Sequence, residues 1–131
     1  MCMYDEIDDE NVTIFINTIR KARKSHLCNE CGRTIARKEP YHFLSGLWDG
    51  RFDSYKTCLH CQIGQHWLQR QCRGFLLGMT QEDLQEHFEE YEMLSIGKLV
   101  VGMKREWQRF DGAGLMKLPT MPGEIRLREA A

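Results

Sequence analysis

Two short cysteine pairs constrain this 131-residue chain more than any other feature. Cys28-Asn29-Glu30-Cys31 and Cys58-Leu59-His60-Cys61 each set two thiols two residues apart, with twenty-six residues between the pairs. A two-residue gap lets both thiolates of a pair turn onto one ion, and two such pairs complete a tetrahedral four-sulfur shell of the kind zinc takes. The spacer is long enough to carry a sheet between the pairs. Gly32 follows the first pair, where a tight knuckle needs a residue that tolerates positive φ. Thr57 precedes the second pair and is expected to cap a helix that opens with Cys58 and Cys61, where the helix end favours thiolates.

Cys28, Cys31, Cys58 and Cys61 together would fill the coordination sphere of one structural Zn2+, leaving no position for an activated water. The metal is therefore expected to hold the fold together. Structural zinc contributes roughly 10–16 kcal/mol of apparent binding energy, comparable to the whole stability of a small domain. His26 and His60 lie close to the pairs, and with four thiols available they read as outer neighbours of the site. Cys2 reads as a terminal thiol and Cys72 as a partly buried helix residue.

The preference for metal over disulfides rests on the expected compartment. No run approaches the ~20 apolar residues of a membrane span. The opening Met1-Cys2-Met3-Tyr4-Asp5-Glu6 has an acidic flank and no apolar core, unlike a secretory signal. A cytoplasmic protein with reduced thiols is the expectation, with no membrane partner. Hydrophobic residues at 42 % and charged residues at 28 % exclude wholesale disorder.

The net charge of −1 hides a strong pattern. Residues 1–10 sum to −5, residues 11–80 to +7, residues 81–92 to −6 and residues 93–131 to +3. The chain divides accordingly into an acidic flexible leader (1–10), a four-cysteine zinc domain (11–74), a helical extension (75–110) and an irregular tail (111–131). Val12, Ile14 and Ile16 alternate as in a strand. Tyr41–Trp48 and Arg51–Lys56 flank Asp49-Gly50, the pair a type I′ hairpin turn asks for. A helix is expected over about 58–72, with Leu59, Ile63 and Trp67 on one face. Thr80-Gln81-Glu82-Asp83 reads as a capped start, followed by Leu84, Phe88 and Tyr91 at helical spacing. Ser95 is expected to cap a third helix with Ile96, Leu99, Val100, Met103, Trp107 and Phe110 as its core stripe.

Knuckle, hairpin, then a helix carrying the second cysteine pair is the order of a treble-clef zinc finger, an α+β architecture. Residues 18–67 also resemble small proteins encoded in bacteriophage and prophage genomes. The matching phrases are Arg20-Lys21-Ala22-Arg23-Lys24-Ser25-His26, Cys28-Asn29-Glu30-Cys31-Gly32-Arg33-Thr34-Ile35, Ser45-Gly46-Leu47-Trp48-Asp49-Gly50 and Tyr55-Lys56-Thr57-Cys58. The resemblance implies a phage-type origin, hence a bacterial host cell, and four zinc ligands. It implies no mechanism, and the chain from Gly74 onward resembles no family.

Three functional classes compete. A His-Asn-His nuclease needs a strand base, an orienting asparagine and a helix residue for a catalytic metal. Here the asparagines are Asn11, Asn17 and Asn29, all before the hairpin, and His42 has no neighbouring Asp or His. A zinc deaminase needs His-x-Glu before Pro-Cys-x-x-Cys, and His87-Phe88-Glu89 falls after the cysteines. Nucleic-acid binding is the second class. Its candidates are Arg20, Lys21, Arg23, Lys24, Arg33 and Arg51, with Trp48 the ring expected to be exposed at the hairpin tip. Most of the other rings, among Tyr41, Phe43, Phe52 and Tyr55, are expected to form a small core around the metal instead. The third class is a grip on another protein, with Glu82, Glu86, Glu89 and Glu90 presenting carboxylates where phosphates would lie. The sequence favours this third class. It describes a non-catalytic, zinc-stabilised binding protein that grips or inhibits a host protein or nucleoprotein complex handling nucleic acid, a defence complex among the possibilities. Direct nucleic-acid binding is the alternative and a nuclease the remote one; the oligomeric state is left open.

Overall fold

A computed structural model describes residues 12–123; the acidic leader, Cys2 and Asn11, and residues 124–131 of the tail lie outside the described residues. The chain is α+β. Among the described residues five strands come first: β1 (Val12–Lys21), β2 (His26–Leu27), β3 (Thr34–Ile35), β4 (Pro40–Trp48) and β5 (Arg51–Cys58). Three helices follow: α1 (Leu59–Cys72), α2 (Thr80–Tyr91) and α3 (Leu94–Lys104). Strands β1, β4 and β5 form an antiparallel sheet with β4 in the centre, and β2 pairs with β3 as a separate small ribbon.

Local chemistry explains the hairpins. Asp49 and Gly50 both take positive φ (52° and 81°), as a type I′ turn requires, and the turn sets Trp48 opposite Arg51. Gly32 sits at φ 82° and donates its N–H to the Cys28 carbonyl at 3.0 Å, closing the knuckle between β2 and β3. The expected strand at Val12–Ile16 extends to Lys21 and carries a bulge between Ile14 and Ile16.

The helices depart from the sequence reading in their caps and buried faces. The N-cap of α1 is Cys58, in extended conformation, while Thr57 is buried as part of β5. Leu59 and Ile63 are only half-buried; the packed face is Cys61, Gly64, Trp67 and Leu68. Thr80 and Ser95 lie inside α2 and α3, and neither side chain caps its helix. The stripe on α3 is buried from Ile96 to Met103, but Phe110 is 73 % exposed and lies under the Arg105 guanidinium at 4.0 Å. The reason is that α3 stops at Lys104, and Glu106 and Trp107 turn to positive φ. That turn drives the Trp107 ring back against Gly102, where a Cβ would lie 2.1 Å from the ring.

A single buried cluster contains Cys28, Cys58 and Cys61 with Trp67, Leu68, Leu84, Ile96, Leu99, Met103 and Trp107. The helical extension therefore packs on the cysteine-bearing half and shares its core. The described part of the tail is irregular but strapped down. The Met116 carbonyl lies 2.6 Å from His60 Nε2, and the Gly123 carbonyl accepts the Trp67 indole N–H at 2.9 Å.

Candidate metal centre and basic groove

Cys28 and Cys31 come from the knuckle, and Cys58 and Cys61 from the β5–α1 junction; their four sulfurs lie within 4.8 Å of one another. A tetrahedral ion with metal–sulfur bonds of about 2.3 Å would set the sulfurs about 3.8 Å apart. Cys31 Sγ and Cys58 Sγ stand 4.0 Å apart, so the cluster can hold one metal ion with little adjustment. Among the described residues no other His, Cys, Asp and Glu side chains gather in this way.

The surroundings supply donors to sulfur. Backbone N–H groups of Glu30 and Cys58 point at Cys28 Sγ at 3.4 and 3.3 Å, and that of Arg33 points at Cys31 Sγ at 3.4 Å. The Trp107 indole N–H points at Cys61 Sγ at 3.2 Å from forty-six residues away in sequence. Four thiols this close share their protons unevenly. Hydrogen bonds from Cys31, Cys58 and Cys61 hold Cys28 well below the usual thiol range, and those with Cys28, Cys31 and Cys58 push Cys61 well above it. A divalent cation would remove that conflict, since it would let all four ionise and leave a net charge of −2.

Arg33 would offset part of that charge from inside. It is 4 % exposed and grips Glu39 through both guanidinium nitrogens. Burial alone would lower its pKa, but the bond to Glu39 and the neighbouring Cys58 hold it above the ordinary value. Arg33 is thus a buried support and is withdrawn from the candidate binding surface.

Glu30 was not legible as a functional position, yet it ties the knuckle to the extension. Its carboxylate accepts the N–H of Gly78 at 2.7 Å, the N–H of Thr80 at 3.2 Å and the Gln65 amide at 3.1 Å. It thereby caps α2 from about fifty residues upstream, in place of the local cap expected at Thr80.

The basic residues divide into a cluster and outliers. Arg20, Lys21, Arg23 and Lys24 converge with Lys56 and His26 around Tyr41 and Phe43, lining a groove of about 750 Å³ with no carboxylate in its wall among the described residues. Register explains the convergence. Arg20 lies opposite Tyr41 and Lys56 opposite Phe43 on neighbouring strands of one sheet. The buried Ala22 anchors the basic segment, donating to the Glu39 carbonyl at 2.9 Å and accepting from the Lys38 N–H at 2.7 Å. The knuckle is pinned beside the groove by paired bonds between Asn29 and the Lys56 backbone at 2.8 and 2.7 Å. Burial, then Lys56 and Lys24, hold the His26 imidazole below its usual pKa.

The rings of this groove are not open platforms. Phe43 carries the Arg20 guanidinium over its face at 4.0 Å and Lys56 Nζ at 5.7 Å, and Tyr41 is buried against His26. Trp48, expected to stand exposed, leans edge-on against Tyr55 at 5.3 Å and is half-buried; the exposed ring of the hairpin is Phe52, at 74 %. Arg51 is exposed at the hairpin tip, outside the groove. On α2, Glu82, Glu86, Glu89 and Glu90 all lie on the exposed face, opposite the buried Asp83, Leu84 and His87.

Two polar pairs appear that spacing could not reveal. Asn17 Oδ1 lies 2.6 Å from His42 Nε2, joining an asparagine and a histidine from neighbouring strands. His87, buried on α2, bonds the Asp83 carbonyl at 2.8 Å and stands 3.5 Å from Cys72 Sγ on α1. Comparison with protein-family models, curated proteins and solved structures finds no match to this chain.

Proposed function

We propose that this protein is a zinc-stabilised, non-catalytic binding module whose basic groove takes the phosphate backbone of nucleic acid. The carrying observation is the convergence of Arg20, Lys21, Arg23, Lys24 and Lys56 on one groove that holds no carboxylate among the described residues. Zinc is favoured as the ion because four thiolates in a closed shell suit it, and a treble-clef-like arrangement of knuckle, hairpin and helix accounts for the order of the ligands. Because Arg20 and Lys56 already cover Phe43, the groove offers charge to phosphates and little ring surface to bases. Binding is thus expected to depend on salt more than on sequence. A phage-type origin, implied by the resemblance of residues 18–67, would place that activity in the cytoplasm of a bacterial host.

The test is fluorescence anisotropy with mixed-sequence DNA and RNA, single- and double-stranded, on protein whose metal content has been measured. Binding is expected at about 50 mM salt and should weaken by roughly three orders of magnitude near 200 mM if six phosphates are engaged. Replacing Arg20 and Arg23 by Glu should remove it, while Arg51→Glu should leave it largely intact. Absence of binding at low salt by the metal-loaded protein overturns the reading. Removal of metal with a strong chelator should unfold the protein, measured by circular dichroism, and one equivalent of Zn2+ should restore it.

A second reading draws on the exposed acidic face of α2. Glu82, Glu86, Glu89 and Glu90 could occupy a basic surface on a partner that itself handles nucleic acid. Reversing Glu86, Glu89 and Glu90 to Lys should abolish capture of such a partner; unchanged capture removes this reading.

A further inference from the structure

Two exposed rings share a sheet face with the basic groove but lie outside its wall. Phe15 is 55 % exposed and Phe52 74 %, and their ring centroids stand 5.7 Å apart. Directly opposed residues of an antiparallel sheet share a face, and successive residues alternate. Arg20, Tyr41 and Cys58 form one row across β1, β4 and β5, and Thr18, Phe43 and Lys56 form the next on the same face. Ile16, Ser45 and Ser54 follow, then Thr13, Leu47 and Phe52. The bulge between Ile14 and Ile16 supplies the extra residue, Phe15, whose ring joins Phe52 on that face. Along β5, Lys56 and Phe52 are separated by about 13 Å of extended strand. The strip between them is floored by Thr18, Ile16, Ser45 and Ser54, none of them charged. Arg51 and Asp53, the neighbours of Phe52 in sequence, alternate onto the opposite face.

We infer that the nucleic acid this protein takes is single-stranded, with its phosphates in the groove and its bases stacked on Phe15 and Phe52. The inference rests on the groove reading above and adds the class of strand. Charge complementarity fixes one end of the occupant, since Arg20 and Lys56 on this face call for an anion. The ring pair fixes the other, since it calls for a flat apolar group carried on the same molecule. A duplex keeps its bases stacked on one another and presents mainly phosphates, whereas a single strand offers the face of each base to an aromatic ring. Phe43 cannot serve, because Arg20 and Lys56 lie over it, so the stacking platform is displaced along the strands to the uncovered pair. The two rings already touch each other, so bases stack on their outer faces and do not enter between them.

The test is fluorescence anisotropy on the full-length, metal-loaded protein with three probes of about ten nucleotides. They are a mixed-sequence single strand, the duplex of the same sequence, and an abasic strand with the same number of phosphates. Wild type should bind the base-bearing single strand more tightly than either of the others. Phe52→Ala and Phe15→Ala should each weaken binding to that strand at least about fivefold, and the loss should shrink to less than about twofold on the abasic strand. The salt dependence should not change, because the rings carry no charge. Phe52→Tyr keeps a ring and should bind the single strand within about twofold of wild type, which separates lost stacking from a disturbed hairpin. Failure to bind any of the three probes overturns the groove reading and this inference with it. Binding that the double replacement Arg20→Glu, Arg23→Glu removes, but that shows no preference for the base-bearing single strand, keeps the groove and overturns this inference alone. So does a Phe52→Ala loss that is equal on the base-bearing and abasic strands.

Discussion

Replacing Glu30 by Ala tests whether the knuckle holds the helical extension in place. The wild-type carboxylate receives three donors, from Gly78, Thr80 and Gln65, at 2.7, 3.2 and 3.1 Å. Two of these are backbone groups at the entry to α2, which have no helical partner of their own. Removing a helix cap costs about 1 kcal/mol, and hydrogen bonds to a charged group are worth about 1.5–3 kcal/mol each. Burial works against the carboxylate, pushing its pKa up, so the net contribution falls short of the sum of three bonds. A loss of about 2–4 kcal/mol is expected, which in a chain of this size lowers Tm by roughly 8–16 °C. Melting should be followed at a fixed free-zinc concentration, so that metal linkage is the same for both proteins. Amide exchange should localise the change, with faster exchange at Gly78, Thr80 and the first turn of α2. A variant that melts within about 2 °C of wild type, or that keeps its protection in that turn, would falsify the capping argument.

Two further outcomes are expected. Trp107→Phe keeps a ring against Gly102 but removes the N–H that points at Cys61 Sγ. It should cost about 1–2 kcal/mol and shift the sulfur-to-metal charge-transfer band of the Co2+-substituted protein, and an unmoved band would show that the indole does not bond the ligand. His42 is held below the usual imidazole pKa of 6.5, first by burial and then by His66. Because the folded pKa is depressed, the folded state binds fewer protons than the unfolded chain. The stability His42 allows is therefore fully present above about pH 6.5 and is lost as pH falls through the lower folded value. Chemical denaturation between about pH 8 and pH 5.5 should show wild type losing stability relative to His42→Gln, and parallel curves would remove the claim.

The candidate metal centre was legible because its four cysteines are local in pairs. A two-residue gap and a Gly at the left-handed position are short-range facts, and the structure gathers the four sulfurs within 4.8 Å. The hairpin was legible for the same reason, since Asp49-Gly50 fixes its own turn and hence the register of β4 on β5. Helix spans were close as well, but their caps were not. Spacing favoured Thr80 and Ser95, while α2 is capped by Glu30 from the knuckle and Ser95 lies within α3. Only a folded chain can bring a carboxylate to a helix end fifty residues away. Charge by itself also misled over Arg33, which resembles its basic neighbours in sequence but is buried on Glu39.

Sequence thus determined the donor set, the turn and the sign of each charge block, because these depend on residue type and on separations of a few positions. Tertiary structure decided which charges meet. Antiparallel register places Arg20 and Lys56 on either side of Phe43, turning dispersed cations into one groove and covering a ring that composition had offered for stacking. It also settled where the extension lies, since the turn after Lys104 drives Trp107 across Gly102 to the Cys61 sulfur. Those contacts join residues far apart in the chain, and their geometry follows from packing, to which a linear pattern is blind.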